Sequence, residues 1–274
     1  MKPRHIPMAL FLIAAFMGSA QAGENLGSAV EAEHRTEAFR ARDKYRHPLP
    51  VLEFYGLTPD MAVVEIWPGR GWWTEILAPY LAGSGRYYAA GFSLTAERTP
   101  DWRRTMQRGI NEHWAANPDL YGKMIVTGLS VPEDTEIAPV GSADLVLTFR
   151  NVHNWMKGEY APGVFEAMHA ALKPGGILGV VEHRADPGTS LEEMITSGYV
   201  TEDQVRSLAA HAGFVFVASS EVNANPNDSK DHPAGVWTLP PSLRMKDQDR
   251  DKYLAIGESD RMTLKFRKPG GSEQ

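Results

Sequence analysis

The sequence predicts an α/β fold built on a doubly wound, mostly parallel seven-stranded sheet with one late antiparallel strand. Three observations carry that expectation. Short apolar runs alternate with amphipathic segments along most of the chain, the pattern of parallel strands joined by crossover helices. The first clear run, Val63-Val64-Glu65-Ile66, turns through Gly69 and Gly71 into a segment whose apolar residues Trp73, Ile76, Leu77 and Tyr80 recur at helical spacing, a Rossmann-like strand, turn and helix. The last run alternates Met262, Leu264 and Phe266 with Thr263 and Lys265, as a strand does when it is inserted late in a sheet.

Taken in order, residues 1–22 read as a signal peptide. Lys2 and Arg4 give a positive start, Met8 to Met17 is apolar, and Ala20-Gln21-Ala22 supplies the small residues of a cleavage site. That apolar run is shorter than the ~20 residues a membrane-spanning helix needs. Cleavage is expected between Ala22 and Gly23, with a periplasmic or secreted location and no stable membrane insertion afterwards. Residues 23–50 are expected to form a polar surface helix over 24–46 and a linker, stopped by His47-Pro48-Leu49-Pro50 because a residue before proline leaves the helical region. The domain proper spans 51–274. Strands are expected at 62–66, 86–90, 123–127, 143–149, 176–182, 214–219 and 261–267. Two intervening helices are well marked: Val164, Phe165, Met168 and Leu172 make one apolar stripe, and Thr201 with Gln204 opens another as a capping box. The segment 222–260, rich in Asn, Asp, Pro and Lys, is too long for an ordinary connection and reads as a lid or an added element. Within it, Asn223, Asn225 and Asp228 are candidates to close over a pocket, whereas Asp231-His232-Pro233 and residues 246–252 read as solvated faces.

Without the first 22 residues, 252 remain, enough for one large domain with a substantial core. Of the 28 Lys and Arg in the whole chain, 26 then stand against 34 acidic residues. That balance, with no clustered basic face in the sequence, argues against a nucleic-acid partner. The absence of cysteine excludes disulfides, thiolate catalysis, thiolate zinc sites and a lipoprotein anchor. Oligomeric state is not readable.

In an open doubly wound sheet, ligands collect at the carboxyl ends of the strands. Three strand ends carry polar groups here: Glu65 to Gly71, Thr148 to Trp155, and Val180 to Gly188. Glycine lets bare backbone approach a ligand, and the acid at a strand end can accept from a ligand hydroxyl or ammonium. His153, Glu182 and His183 could also ligate a divalent ion. Because adjacent strand residues point to opposite faces, Glu182 and His183 cannot both face one site while the strand continues, and no metal is expected.

At these motifs the chain resembles the class I S-adenosylmethionine-dependent methyltransferases. The glycine turn, the Ala143-Asp144-Leu145-Val146-Leu147 strand ending near His153-Asn154-Trp155, and Leu172-Lys173-Pro174-Gly175-Gly176 before the next strand fall in the family's order. More narrowly it is similar to a group of exported bacterial proteins described as predicted methyltransferases. Those share the Pro68-Gly69-Arg70-Gly71-Trp72 turn, the Phe149-Arg150-Asn151-Val152-His153-Asn154-Trp155 stretch and the Gly257-Glu258-Ser259-Asp260-Arg261-Met262 lead into the last strand. The resemblance implies S-adenosylmethionine as cofactor and a small-molecule acceptor. It places Glu65 at the methionine moiety, Gly69 and Gly71 beneath the cofactor, Trp67 and Trp72 at its edge, and Asn151, His153 and Trp155 where the acceptor lies. His153 is then the candidate base, with Glu182 or His183 orienting it or touching substrate. Two departures stand out. Trp67 occupies the position of the usual first glycine, and the second strand, Arg86 to Ser93, lacks the acid that grips ribose hydroxyls, leaving Gly91 backbone or Ser93 to substitute. Two other readings share the crevice: a non-catalytic periplasmic ligand-binding protein on this fold, and an enzyme of other chemistry.

Overall fold

A computed structural model describes residues 25–270, so the expected signal peptide lies outside the described residues. One seven-stranded sheet runs in the order β3-β2-β1-β4-β5-β7-β6. Its strands are β1 Ala62–Ile66, β2 Arg86–Phe92, β3 Ile125–Leu129, β4 Ala143–Phe149, β5 Leu172–His183, β6 Val215–Ser220 and β7 Arg261–Arg267. The first five pair in parallel; β7 lies antiparallel between β5 and β6. The chain winds from β1 outward to β3 and then returns to place β4 on β1's other side, so the topological switch point falls between β1 and β4.

Alternation along β1 shows how the strands sort two faces. Val64 and Ile66 enter one apolar core with Val146, Leu178 and Phe165. Val63 enters the other with Leu145, Tyr87 and, from the helix after the turn, Ile76 and Leu77. The same alternation directs Glu65 toward the Val63 side, where Thr74 and Tyr87 meet it.

The helices are α1 Leu26–Val30, α2 Glu37–Arg40, α3 Asp43–Arg46, α4 Pro48–Tyr55, α5 Thr74–Leu81, α6 Asp101–Ala115, α7 Pro118–Tyr121, α8 Val152–Lys157, α9 Ala161–Ala171, α10 Leu191–Ser197, α11 Glu202–His211 and α12 Arg250–Ile256. The apolar stripe of α9 is buried through Val164, Phe165 and Met168, and its C-cap Leu172 opens β5 directly. At α11 the Thr201 side chain accepts from the Gln204 amide at 3.2 Å, the N-terminal half of the expected capping box.

The N-terminal segment differs from the continuous polar helix expected over 24–46. It forms three short helices bent across the domain, because its charged residues find partners there. Arg35 is buried and pairs with Asp43 at 2.6 Å, and Thr36 donates to the Glu75 carboxylate of α5. The Trp72 indole donates to the Phe39 carbonyl at 2.9 Å, with the Arg35 and Arg46 guanidiniums both over its ring. His47 ends α3 in a left-handed conformation and Pro48 starts α4, a position where its missing N–H costs nothing. The prolines therefore begin a helix rather than a linker.

Candidate functional site

The turn after β1 is shaped by three left-handed residues at alternate positions, Trp67 (φ 47°), Gly69 (φ 60°) and Gly71 (φ 87°). Glycine adopts this conformation freely; Trp67 holds it at a cost of ~1–2 kcal/mol. The turn, the end of β4 and the end of β5 enclose a cavity of about 340 Å³. Its other walls are Arg42 and Arg46 from the N-terminal segment and Val236, Trp237 and Pro240 to Ser242 from the long insertion. The insertion does cover the crevice, but with different residues from those expected. Asn223 instead bonds Thr263 and His47, Asn225 bonds the Ile256 and Glu258 carbonyls, and Asp228 is buried beneath Tyr199 and His232. His232, read from sequence as solvated, is thus buried, because the Asp228 carboxylate 2.8 Å away gives it a partner.

Glu65 lines the cavity and is buried. One carboxylate oxygen accepts from the Tyr87 hydroxyl and from Thr74 Oγ1. Burial pushes its carboxyl up to about 7, against opposing hydrogen bonds from Tyr87 and Thr74 and the charge of Arg46. Asn151 also lines the cavity, and its amide donates to the Ile66 carbonyl at 2.9 Å, tying the end of β4 to the end of β1. Trp72 is buried against the two arginines, and Trp73 stacks on Phe149 at 4.1 Å. Gly91 does not line the cavity: a Cβ there would lie 2.3 Å from Gln107 Oε1, so its bareness makes room for α6.

His153 and His183 both reach the cavity, and their rings lie 5.4 Å apart. Glu182 is fully buried behind them and does not line the cavity. One of its oxygens accepts from the backbone amides of Val152 and His153 at 2.6 and 3.3 Å, at the start of α8. The other meets His153 Nδ1 at 3.0 Å and accepts from the His183 amide at 2.8 Å. The Asn154 amide lies 3.0 Å from His153 Nε2, which assigns the proton to Nδ1 and a lone pair to Nε2. Glu182 therefore holds His153 from behind the cavity, and, contrary to the separation expected from strand alternation, it also meets the His183 amide at the end of β5. His183 Nδ1 meets Ser259 Oγ at 2.5 Å. Burial, then the charges of His153, Arg150, Arg261 and Arg46, hold His183 well below the ordinary histidine range. Ligand atoms of His153, Glu182 and His183 lie within 4.8 Å of one another, but the surrounding guanidiniums oppose a cation there.

Sequence reasoning missed the arginines. Glu258, in the lead into β7, binds Arg42 Nε at 2.6 Å, Arg46 Nε at 3.3 Å and Arg261 Nη1 at 3.2 Å. Burial alone would raise the Glu258 carboxyl; Arg46, Arg261, Arg150 and Arg42 together hold it at about 2. Only the Gly-Glu-Ser-Asp-Arg-Met motif hinted at this hub.

A smaller cavity of about 200 Å³ lies on the far side of Trp67, toward the ends of β2 and β3. Trp67 lines both cavities and packs on Phe92 at 4.7 Å, on Trp155 and on Tyr160, with Arg103 over its ring at 4.6 Å.

No protein-family model matches this sequence, and no curated protein matches it either. Solved structures do match by shape. A protein of Galdieria sulphuraria named as a sarcosine dimethylglycine methyltransferase superimposes with a TM-score of 0.54 at 14% identity, over 84% of this chain and 85% of that one. A SAM-dependent methyltransferase from Aquifex aeolicus gives 0.53 at 15%, over 89% and 99%. The [4+2]-cyclase SpnF gives 0.51 at 17%, over 82% and 81%. The chain has the fold of the class I S-adenosylmethionine-dependent methyltransferases.

The residues fit one half of that cofactor. Glu65 and the bare backbone of Gly69 and Gly71 suit an amino-acid moiety with its ammonium. Trp67 stands between this cavity and the smaller one toward β2, and the end of β2 carries no carboxylate.

Proposed function

We propose that the protein is an exported S-adenosylmethionine-dependent methyltransferase acting on a small-molecule acceptor. The observation that carries this reading is the crevice at the switch point, with the glycine turn and Glu65 on one wall and the His153–Glu182 pair on the other. The cofactor, when bound, supplies a methyl group on sulfonium. The chain must align the acceptor and receive its proton. His153 Nε2 is the receiving atom once Asn154 yields it, and Glu182 steadies the imidazolium that forms. The signal-like residues 1–22 support export, and no described helix is long and apolar enough to cross a membrane. The acidic balance supports a small molecule over a nucleic acid.

Incubation with methyl-labelled S-adenosylmethionine and a small-molecule extract tests this. S-adenosylhomocysteine should form with wild type and fall by ~10²–10⁴-fold with His153→Gln. Formation no greater than with boiled protein would reject it. Trp67 favours a second reading, a ligand-binding protein or an enzyme of other chemistry that uses the larger cavity without a nucleoside. Fold alone does not choose between them.

A further inference from the structure

We propose that the larger cavity binds the carboxylate or phosphate group of an anionic acceptor, through Arg150 and Arg46 with Arg42 beside them. Arg46 is buried and spends its Nε on Glu258, while its Nη2 is buried with no hydrogen-bond partner among the described residues. Arg42 leaves Nη2 in the same condition. Arg150 sits in a left-handed conformation (φ 62°) at the end of β4, where its backbone N–H is fixed by the Val181 carbonyl at 2.7 Å. No hydrogen bond or ion pair among the described residues ends on its guanidinium, although it lines the cavity. Unsatisfied donors on confined guanidiniums are costly, and a planar oxyanion meets them two at a time.

Charge balance assigns this anion to the acceptor. Arg42, Arg46 and Arg261 pair with the single carboxylate of Glu258. Arg150 adds a further positive charge beside the same Glu258, with Glu182 behind His153 a weaker counter-charge. S-adenosylmethionine carries one carboxylate against an ammonium and a sulfonium, so it adds net positive charge to a site already in excess. The remaining counter-charge must come from the second ligand. Anion binding follows from the cavity itself; its assignment to a methyl acceptor rests on the proposed function.

Malonate titrated calorimetrically into the purified protein is the probe, with and without saturating S-adenosylhomocysteine. Malonate should bind wild type, Arg150→Gln should weaken it by roughly 10- to 100-fold, and Arg150→Lys should recover part of the loss. Arg150 has no side-chain partner to abandon, so circular dichroism should show both variants folded. Equal malonate affinity in the presence of S-adenosylhomocysteine supports the assignment. Displacement by it would place the anion in the cofactor's carboxylate position and overturn the proposal, as would no malonate binding to wild type or no effect of Arg150→Gln. If malonate binds as described and S-adenosylhomocysteine does not bind at all, the anion site stands and the methyl-transfer reading fails.

Discussion

Replacing Glu65 by glutamine should change how stability depends on pH. In the folded protein this carboxyl is raised from 4.5 to about 7, chiefly by burial. The folded state therefore holds a proton that the unfolded chain releases between these values, and stability falls as pH rises through that window. For one group with these two values, the loss between pH 5 and pH 8 is about 2–3 kcal/mol. The amide of the variant does not titrate and still offers an oxygen to Tyr87. Urea unfolding of both proteins at several pH values measures the difference. Wild type should lose about 2–3 kcal/mol more than Glu65→Gln from pH 5 to pH 8. Parallel curves would mean that Glu65 is ionised throughout, and the burial argument would be wrong.

Three further outcomes are expected. Glu182→Ala removes the acceptor of three backbone amides and of the His153 ring, and should cost ~2–4 kcal/mol in urea unfolding while slowing any turnover. Thr201→Ala removes a helix cap and should cost about 1 kcal/mol by the same measurement. Trp67→Gly joins the two cavities and relieves a left-handed tryptophan, yet gives up aromatic packing. It should lower stability by a few kcal/mol and tighten S-adenosylhomocysteine binding measured by calorimetry; weaker binding would show that the indole is part of the ligand site.

Local pattern made the framework readable. Every expected strand has its counterpart in the sheet, the β1 turn is where its glycines place it, and the 222–260 segment covers the crevice. Interactions across sequence were not readable. Glu258 meets Arg42 and Arg46 over more than two hundred residues, and nothing in the local spacing of the N-terminal segment announces that its arginines wall a cavity. The same limit hid Gln107 behind Gly91, whereas Asp228 stands only four residues before His232 and was within local reach. Glu182, expected to orient His153 or touch substrate, meets the His153 ring from behind and does not line the crevice.

The most direct test of the central claim is calorimetric titration of S-adenosylhomocysteine into wild type and Glu65→Ala. The proposed cofactor site requires binding on the order of micromolar to wild type and a large loss in the variant. No binding to folded wild type at about millimolar ligand, or equal affinity in the two proteins, would contradict it.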